Sequence, residues 1–210
     1  MRPIHALIFD FDGVIVESEH IKARAFEVLY SEYGAEVGRA AAAYHEANGG
    51  ISRRKKIRHL HRSHLGIEPG DALVEDLSGR FAKLVEDEVV ACDEVPGALA
   101  VLEAQAGRRL MFVVSGTPHD ELNRIVARRG LARYFEEVHG SPPEKPPIVE
   151  DLLARRRLDA RDVLFVGDAA ADWRAARATG VRFLGVLGDG RESPFPAGTP
   201  VIRDLTQLLL

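Results

Sequence analysis

The sequence predicts an α/β fold, an open parallel sheet interrupted by a block of helices, and three observations carry that prediction. Four short apolar runs, HALIFDF at 5–11, LMFVVSG at 110–116, DVLFVGD at 162–168 and RFLGVLG at 182–188, have the length and residue types of strands. Three of the four are nearly continuous, without polar alternation, as expected where helices cover both faces of a parallel sheet. Helical patterns separate the later runs, and the stretch following the first run holds no strand pattern at all.

Taken in order, the first run ends in acidic residues and Gly13, which reads as a buried strand entering a tight turn. From about residue 17 to 92 the chain reads as three or four successive helices. Ile21, Ala25, Val28, Leu29 and Tyr33 fall on one helical face ending at Gly34; SRRKKIRHLHRSHLG ends at Gly66; a third pattern runs from Asp71 to Val90. Strand signals return only after VPG at 95–97. The α/β core is therefore expected at 1–16 and 93–210, with the helical insertion at 17–92. Beyond it, Leu122, Ile125, Val126 and Arg129 lead to Gly130, and Trp173, Ala176 and Ala178 lead to Gly180. Each glycine is placed to end a helix in the left-handed conformation.

Composition narrows the function. A chain of 210 residues accommodates one core plus a small inserted module, and 46% hydrophobic with 29% charged residues excludes wholesale disorder. No apolar run approaches the roughly 20 residues of a membrane-spanning helix. The opening MRPIHALIFDFDGVIV carries Asp10 and Asp12 within its apolar stretch, unlike a signal-peptide core, so a cytoplasmic protein is expected. The single cysteine, Cys92, excludes an intramolecular disulfide and a cysteine metal knuckle. A net charge of -4 argues against nucleic-acid binding by bulk charge.

Asp10 and Asp12 sit two apart at the end of the first strand, a spacing that puts both side chains on one side of an extended segment. They read either as a nucleophile and acid/base pair or as turn and cap residues beside Gly13. Asp168 and Asp172, in GDAAADW, follow another predicted strand end, where open α/β sheets bind ligands, although alone they could simply cap the next helix. Four carboxylates converging on one crevice would repel one another unless a cation neutralised them. A hard divalent ion is implied, and Mg2+ suits a site offering one or two direct carboxylates and room for substrate phosphate. Ser115, Gly116 and Thr117 could hold phosphate oxygens through a hydroxyl and backbone N–H groups. Lys145, in the proline-flanked loop PPEKPP, offers a stiffened positive charge.

In this order the elements resemble the haloacid dehalogenase superfamily: DFDGV at 10–14, Ser115 after a hydrophobic strand, Lys145 before Pro146, and GDAAAD at 167–172. The resemblance implies a Rossmann-like parallel sheet core with an inserted α-helical cap and a Mg2+-dependent phosphatase acting on a small phosphorylated metabolite. It implies that Asp10 is the nucleophile forming an aspartyl-phosphate, and that Asp12 is the acid/base whose backbone carbonyl joins Asp10 and Asp168 around the metal. Ser115, Gly116 and Lys145 would bind the transferring phosphoryl group, and Asp172 would orient Lys145 or a metal-bound water. Superfamily members that cleave carbon–halogen bonds need neither Asp12 nor the metal cluster, so phosphoryl transfer is favoured. Glu17 stands where relatives often have Asp, and Ala169 where Ser or Thr is commoner.

The insertion resembles the superfamily's mobile cap, which excludes water and contacts substrate. Within it, GGISRR at 49–54 is similar to a cap segment of β-phosphoglucomutase-like relatives, which makes Arg53 a candidate for a distal anionic group, against the plainer reading of an exposed helix start. The basic run from Arg53 to His64 reads as a solvated helix face, with a nucleic-acid patch or metal site as rivals, and His20 as a surface residue or substrate contact. A phosphomutase using the same aspartyl-phosphate, and a non-catalytic binding module, are the rival functions. The motifs specify chemistry and leave the leaving alcohol and oligomeric state open.

Overall fold

A computed structural model describes residues 2–188, 190 and 192–210. Six strands form one sheet: β1 (Ala6–Phe9), β2 (Leu110–Pro118), β3 (Glu137–Ser141), β4 (Val163–Gly167), β5 (Arg182–Val186) and β6 (Val201–Ile202). Their order is β3-β2-β1-β4-β5-β6 and all pairings are parallel. The order reverses at β1, between β2 and β4, and a sheet of this kind opens a crevice at such a point, outside the carboxyl ends of its strands.

The unbroken apolar runs have a direct cause. Leu7 and Phe9 of β1, Met111 and Val113 of β2, and Leu164 and Val166 of β4 enter one hydrophobic cluster. The alternate residues Ala6, Ile8, Phe112, Val114, Val163 and Phe165 enter a second. Successive side chains point to opposite faces, both faces are covered, and the polar alternation of a half-solvated strand never develops. The second layer is closed by α7 (Lys145–Arg156) and α8 (Ala170–Thr179) through Ile148, Val149, Leu152, Ala175 and Ala176.

The other face carries α5 (Ala98–Gln105), α6 (His119–Arg128) and the helical insertion: α1 (Glu19–Tyr30), α2 (Ala35–Ala47), α3 (Arg53–Leu60) and α4 (Asp71–Ala91). Phe26, Leu29, Ile57, Leu60, Leu77, Phe81 and Val85 of the insertion belong to the same buried cluster as Leu7 and Phe9 of the sheet. The chain enters and leaves the insertion through two segments that run side by side. Glu17 N donates to Asp93 O at 2.9 Å, Val95 N to Ile15 O at 3.0 Å, and Val16 bridges Glu94.

Three expectations need correction. Val28 is 54% exposed although Ile21, Ala25 and Leu29 are buried, because the apolar stripe of α1 is narrower than the sequence pattern suggested. Lys145 opens α7 instead of lying in a loop; its prolines occupy the first helical positions, where a missing N–H costs nothing. The basic run is no uniform solvated face, since Arg53, Lys56, Ile57 and Leu60 form a buried stripe while Arg54, Lys55 and Arg62 are exposed.

Candidate active site

The carboxyl ends of β1, β2 and β4 converge. β1 delivers Asp10, whose N–H donates to Val166 O of β4 at 2.9 Å, and the chain turns at Gly13, φ +72°. A Cβ on Gly13 would come within 2.5 Å of an Asp168 carboxylate oxygen, so this turn requires glycine twice over, for its backbone and for its closeness to Asp168. The pairing of β2 with β3 breaks between Val114 and Pro118, which lifts residues 115–117 out of the ladder. Ser115 Oγ there accepts from Thr117 N at 3.2 Å.

Lys145 ties the cluster together. Its Nζ donates to Asp10 Oδ2 at 2.7 Å and to Asp172 Oδ1 at 2.5 Å. Burial opposes a charged ammonium, yet the two carboxylates outweigh burial and push its pKa above the usual lysine range. Asp172 is fully buried, and its second oxygen accepts from Ala169 N at 3.0 Å as part of the α8 start. Both its oxygens are thus engaged, which suits it to holding Lys145 in place. Asp10 accepts from Phe11 N at 2.7 Å with its other oxygen. Burial, together with Asp172 and Asp12 and against Lys145, pushes its pKa up to about 7.

Asp10, Asp168 and Asp172 each offer a carboxylate oxygen, all within 4.8 Å of one another and all buried. Lys145 pairs with two of these carboxylates, Asp10 and Asp172, and the oxygen-only donor set of the three fits a hard divalent cation such as Mg2+. The Asp12 carboxylate stands apart from this group. It accepts from Ser18 Oγ at 2.5 Å and Thr117 Oγ1 at 3.0 Å, and pairs with Lys22 Nζ at 2.5 Å. Burial raises its pKa, but Lys22, with the two hydroxyls, overrides burial and holds it at about 2.

Asp10, Asp12, Ser115, Gly116 and Arg53 line one cavity of about 40 Å³, with Lys145 immediately behind Asp10. Arg53 reaches that wall with its guanidinium engaged. It forms a bidentate pair with Glu121 of α6 at 2.6 and 2.8 Å, donates to Ser78 O at 3.0 Å and lies 4.2 Å from the centre of the Phe81 ring. His20 is exposed and borders a neighbouring, larger cavity. Lys22, His45, Lys56 and Thr117 also line the cavity. Sequence reasoning missed the first three as site residues; the available signal was Arg53 and Lys56 sharing a helical face with Ile57 and Leu60.

The insertion closes this cavity with backbone. A Cβ on Gly116 would lie 2.8 Å from Gly50 O, and one on Gly50 would meet Ala171 Cβ at 3.0 Å and Lys145 Nζ at 3.5 Å. Gly49 faces the methyl of Ala169, at 3.1 Å from its would-be Cβ, so a small residue after Gly167 and Asp168 serves close approach.

A parallel sheet with an acidic cluster at its order reversal places the chain among the α/β proteins that bind ligands at the carboxyl ends of their strands. The family model for haloacid dehalogenase-like hydrolases matches residues 7–186, and the chain belongs to that family. It is 29% identical over 198 residues to a phosphoglycolate phosphatase of Pectobacterium atrosepticum, covering 89% of this chain and 81% of that protein. Among solved structures, CbbY of Rhodobacter sphaeroides in complex with phosphate shares the fold with a TM-score of 0.73 at 18% identity, over 97% of this chain and 96% of that one. The hydrolase YfnB of Bacillus subtilis bound to magnesium, for which interdomain movement is described, gives 0.70 at 17% identity over 98% and 96%.

Proposed function

We propose that this chain is a Mg2+-dependent phosphatase that hydrolyses a small phosphate monoester through a phosphorylated Asp10. The observation that carries the reading is the buried ensemble of Asp10, Lys145, Asp172 and Asp168 at the ends of β1 and β4. The phosphatase named among its relatives and the phosphate and magnesium bound by its structural neighbours support it.

Asp10 and Asp168, with the backbone carbonyl of Asp12, would hold Mg2+. The ion would supply charge neutralisation, allowing the Asp10 carboxylate to approach an anionic phosphoryl group. Ser115 Oγ, the N–H of Gly116 and Lys145 Nζ bind the phosphoryl oxygens. Asp10 attacks phosphorus, the ester P–O bond breaks, and the departing oxygen takes a proton from Asp12. Water then attacks the phosphorylated Asp10, Asp12 takes its proton, and phosphate and free Asp10 are released. With Lys22 against it, Asp12 is held as the carboxylate, the form the second half requires; the first half requires Lys22 to separate from it. Residues 17–92 act as the cap, moving about the paired segments at 15–17 and 93–95.

The phosphomutase alternative uses the same phosphorylated Asp10 but returns the phosphoryl group to another hydroxyl before water attacks. Purified protein with Mg2+ is expected to release phosphate from small monoesters, and Asp10→Asn to lower turnover at least about a thousandfold. Equal turnover by that variant would refute the mechanism, and isomerised product without net phosphate release would decide for the mutase.

A further inference from the structure

Three cations line the cavity beside Asp10, and two of them are matched in charge: Lys22 pairs with Asp12 and Arg53 with Glu121. Lys56 is different. It is 2% exposed, its Nζ donates to His45 Nδ1 at 2.8 Å and reaches His45 O at 3.5 Å, and among the described residues it makes no ion pair. Burial pushes its pKa down to about 8, against the attraction of Glu19 and with the repulsion of Lys22.

His45 adds an independent sign. Because Nδ1 accepts from Lys56, the neutral ring carries its proton on Nε2, and that buried N–H has no hydrogen-bond partner. Burial, then the charge on Lys56, holds this histidine neutral, with a pKa of about 2. A buried ammonium that forms no ion pair among the described residues and an orphaned N–H, adjacent on one cavity wall, are both costly unless an acceptor arrives from outside the chain. The Nε2 of His61 is also orphaned, but that ring packs edge-on to Tyr30 and Tyr33, away from the cavity.

We propose that Lys56, backed by His45, is the specificity-determining residue of this site, binding a second anionic group, carboxylate or phosphate, on a short phosphate monoester. The proposal rests on the phosphatase reading and deepens it. Matched pairs leave Lys22 and Arg53 nothing to offer a second anion without losing a partner, whereas Lys56 gains one. Lys56 lines the same cavity as Asp10 and Ser115, so a short skeleton can present one group to each end.

The test is equilibrium binding to the full chain carrying Asp10→Asn, measured by calorimetry in Mg2+. The ligands are ethyl phosphate, phosphoglycolate and ethylene glycol bisphosphate, matched in carbon number and differing in the second group. One or both dianionic-plus ligands are expected to bind about tenfold to a hundredfold more tightly than ethyl phosphate, the scale of a charge-assisted hydrogen bond. Adding Lys56→Met should erase that preference, with a thermal midpoint close to the parent's reporting a folded variant; Lys56→Arg should retain most of it. The ligand with the larger preference identifies carboxylate or phosphate as the second group. Absence of a preference, or a preference that survives Lys56→Met, overturns the proposal. Phosphate release from ethyl phosphate by the parent enzyme tests the phosphatase reading separately, and its outcome does not alter the binding comparison.

Discussion

Gly116 meets the cap loop backbone to backbone, with no side chain to absorb an error. A methyl group there would sit 2.8 Å from Gly50 O, so Gly116→Ala must push the loop at 49–51 away from residues 115–117. Its expected effect is a kcat/KM lower by about a hundredfold, as a displacement near 1 Å produces, with the thermal midpoint close to the parent's. Steady-state kinetics beside thermal denaturation check this, and parental kinetics would count against the closed geometry. At this scale the sequence marked Asp10 and Asp168 as acidic groups at strand ends, where they lack a hydrophobic reason to be, and Lys145 as a charge stiffened by prolines; the fold brings the two aspartates into one buried cluster with Lys145 on Asp10. Lys56 was hidden among the basic residues of one helix, because linear order does not reveal which of them the tertiary fold buries.

Between elements, the buried pair of Arg53 on α3 and Glu121 on α6 fastens the helical insertion to the sheet-bearing part of the chain. Glu121→Ala strands a guanidinium among Phe81 and Ser78 and is expected to cost about 3–5 kcal/mol in chemical denaturation, whereas Arg53→Met with Glu121→Leu should recover most of that loss. Glu137 joins β3 to α7 more weakly. Arg155 chiefly, with Arg156 and His139, holds its carboxyl at about 2 despite partial burial. A depressed pKa stabilises above the ordinary carboxyl range and ceases to do so as pH falls toward that value. Glu137→Gln should therefore cost about 1 kcal/mol at neutral pH, discounted for the exposed arginines, and the gap from the parent should close on acidification toward pH 2. Strands buried on both faces announced themselves as apolar runs; β3, reading EVHGS, and the two-residue β6 did not, since strands near the sheet edges are held by backbone pairing and ion pairs. α2, built largely of alanine and packed chiefly on α1, showed no clear stripe for a similar reason.

For the molecule as a whole, three buried carboxylates lie together, two of them paired with Lys145, and a bound cation would relieve their mutual repulsion. Mg2+ at about a hundred times its dissociation constant should stabilise the fold by about 2.7 kcal/mol, seen as a raised thermal midpoint that a chelator reverses. Asp168→Asn should shrink that shift, and a midpoint indifferent to Mg2+ would argue against the metal site without reference to turnover. The helical insertion and the sheet share a single apolar cluster, so the insertion packs into the main core and not onto a polar seam. Across the centre of the sheet, Ala6 lies level with Leu110 and Val163, and Phe9 with Val113 and Val166. One residue gained or lost within any of these three strands would turn its inward side chains to the opposite layer and tip a reacting group out of line. The turn at 106–109, at the far rim, carries no such penalty. Descendants of this chain are free to grow or shrink along that rim, while the three middle strands stay frozen in length.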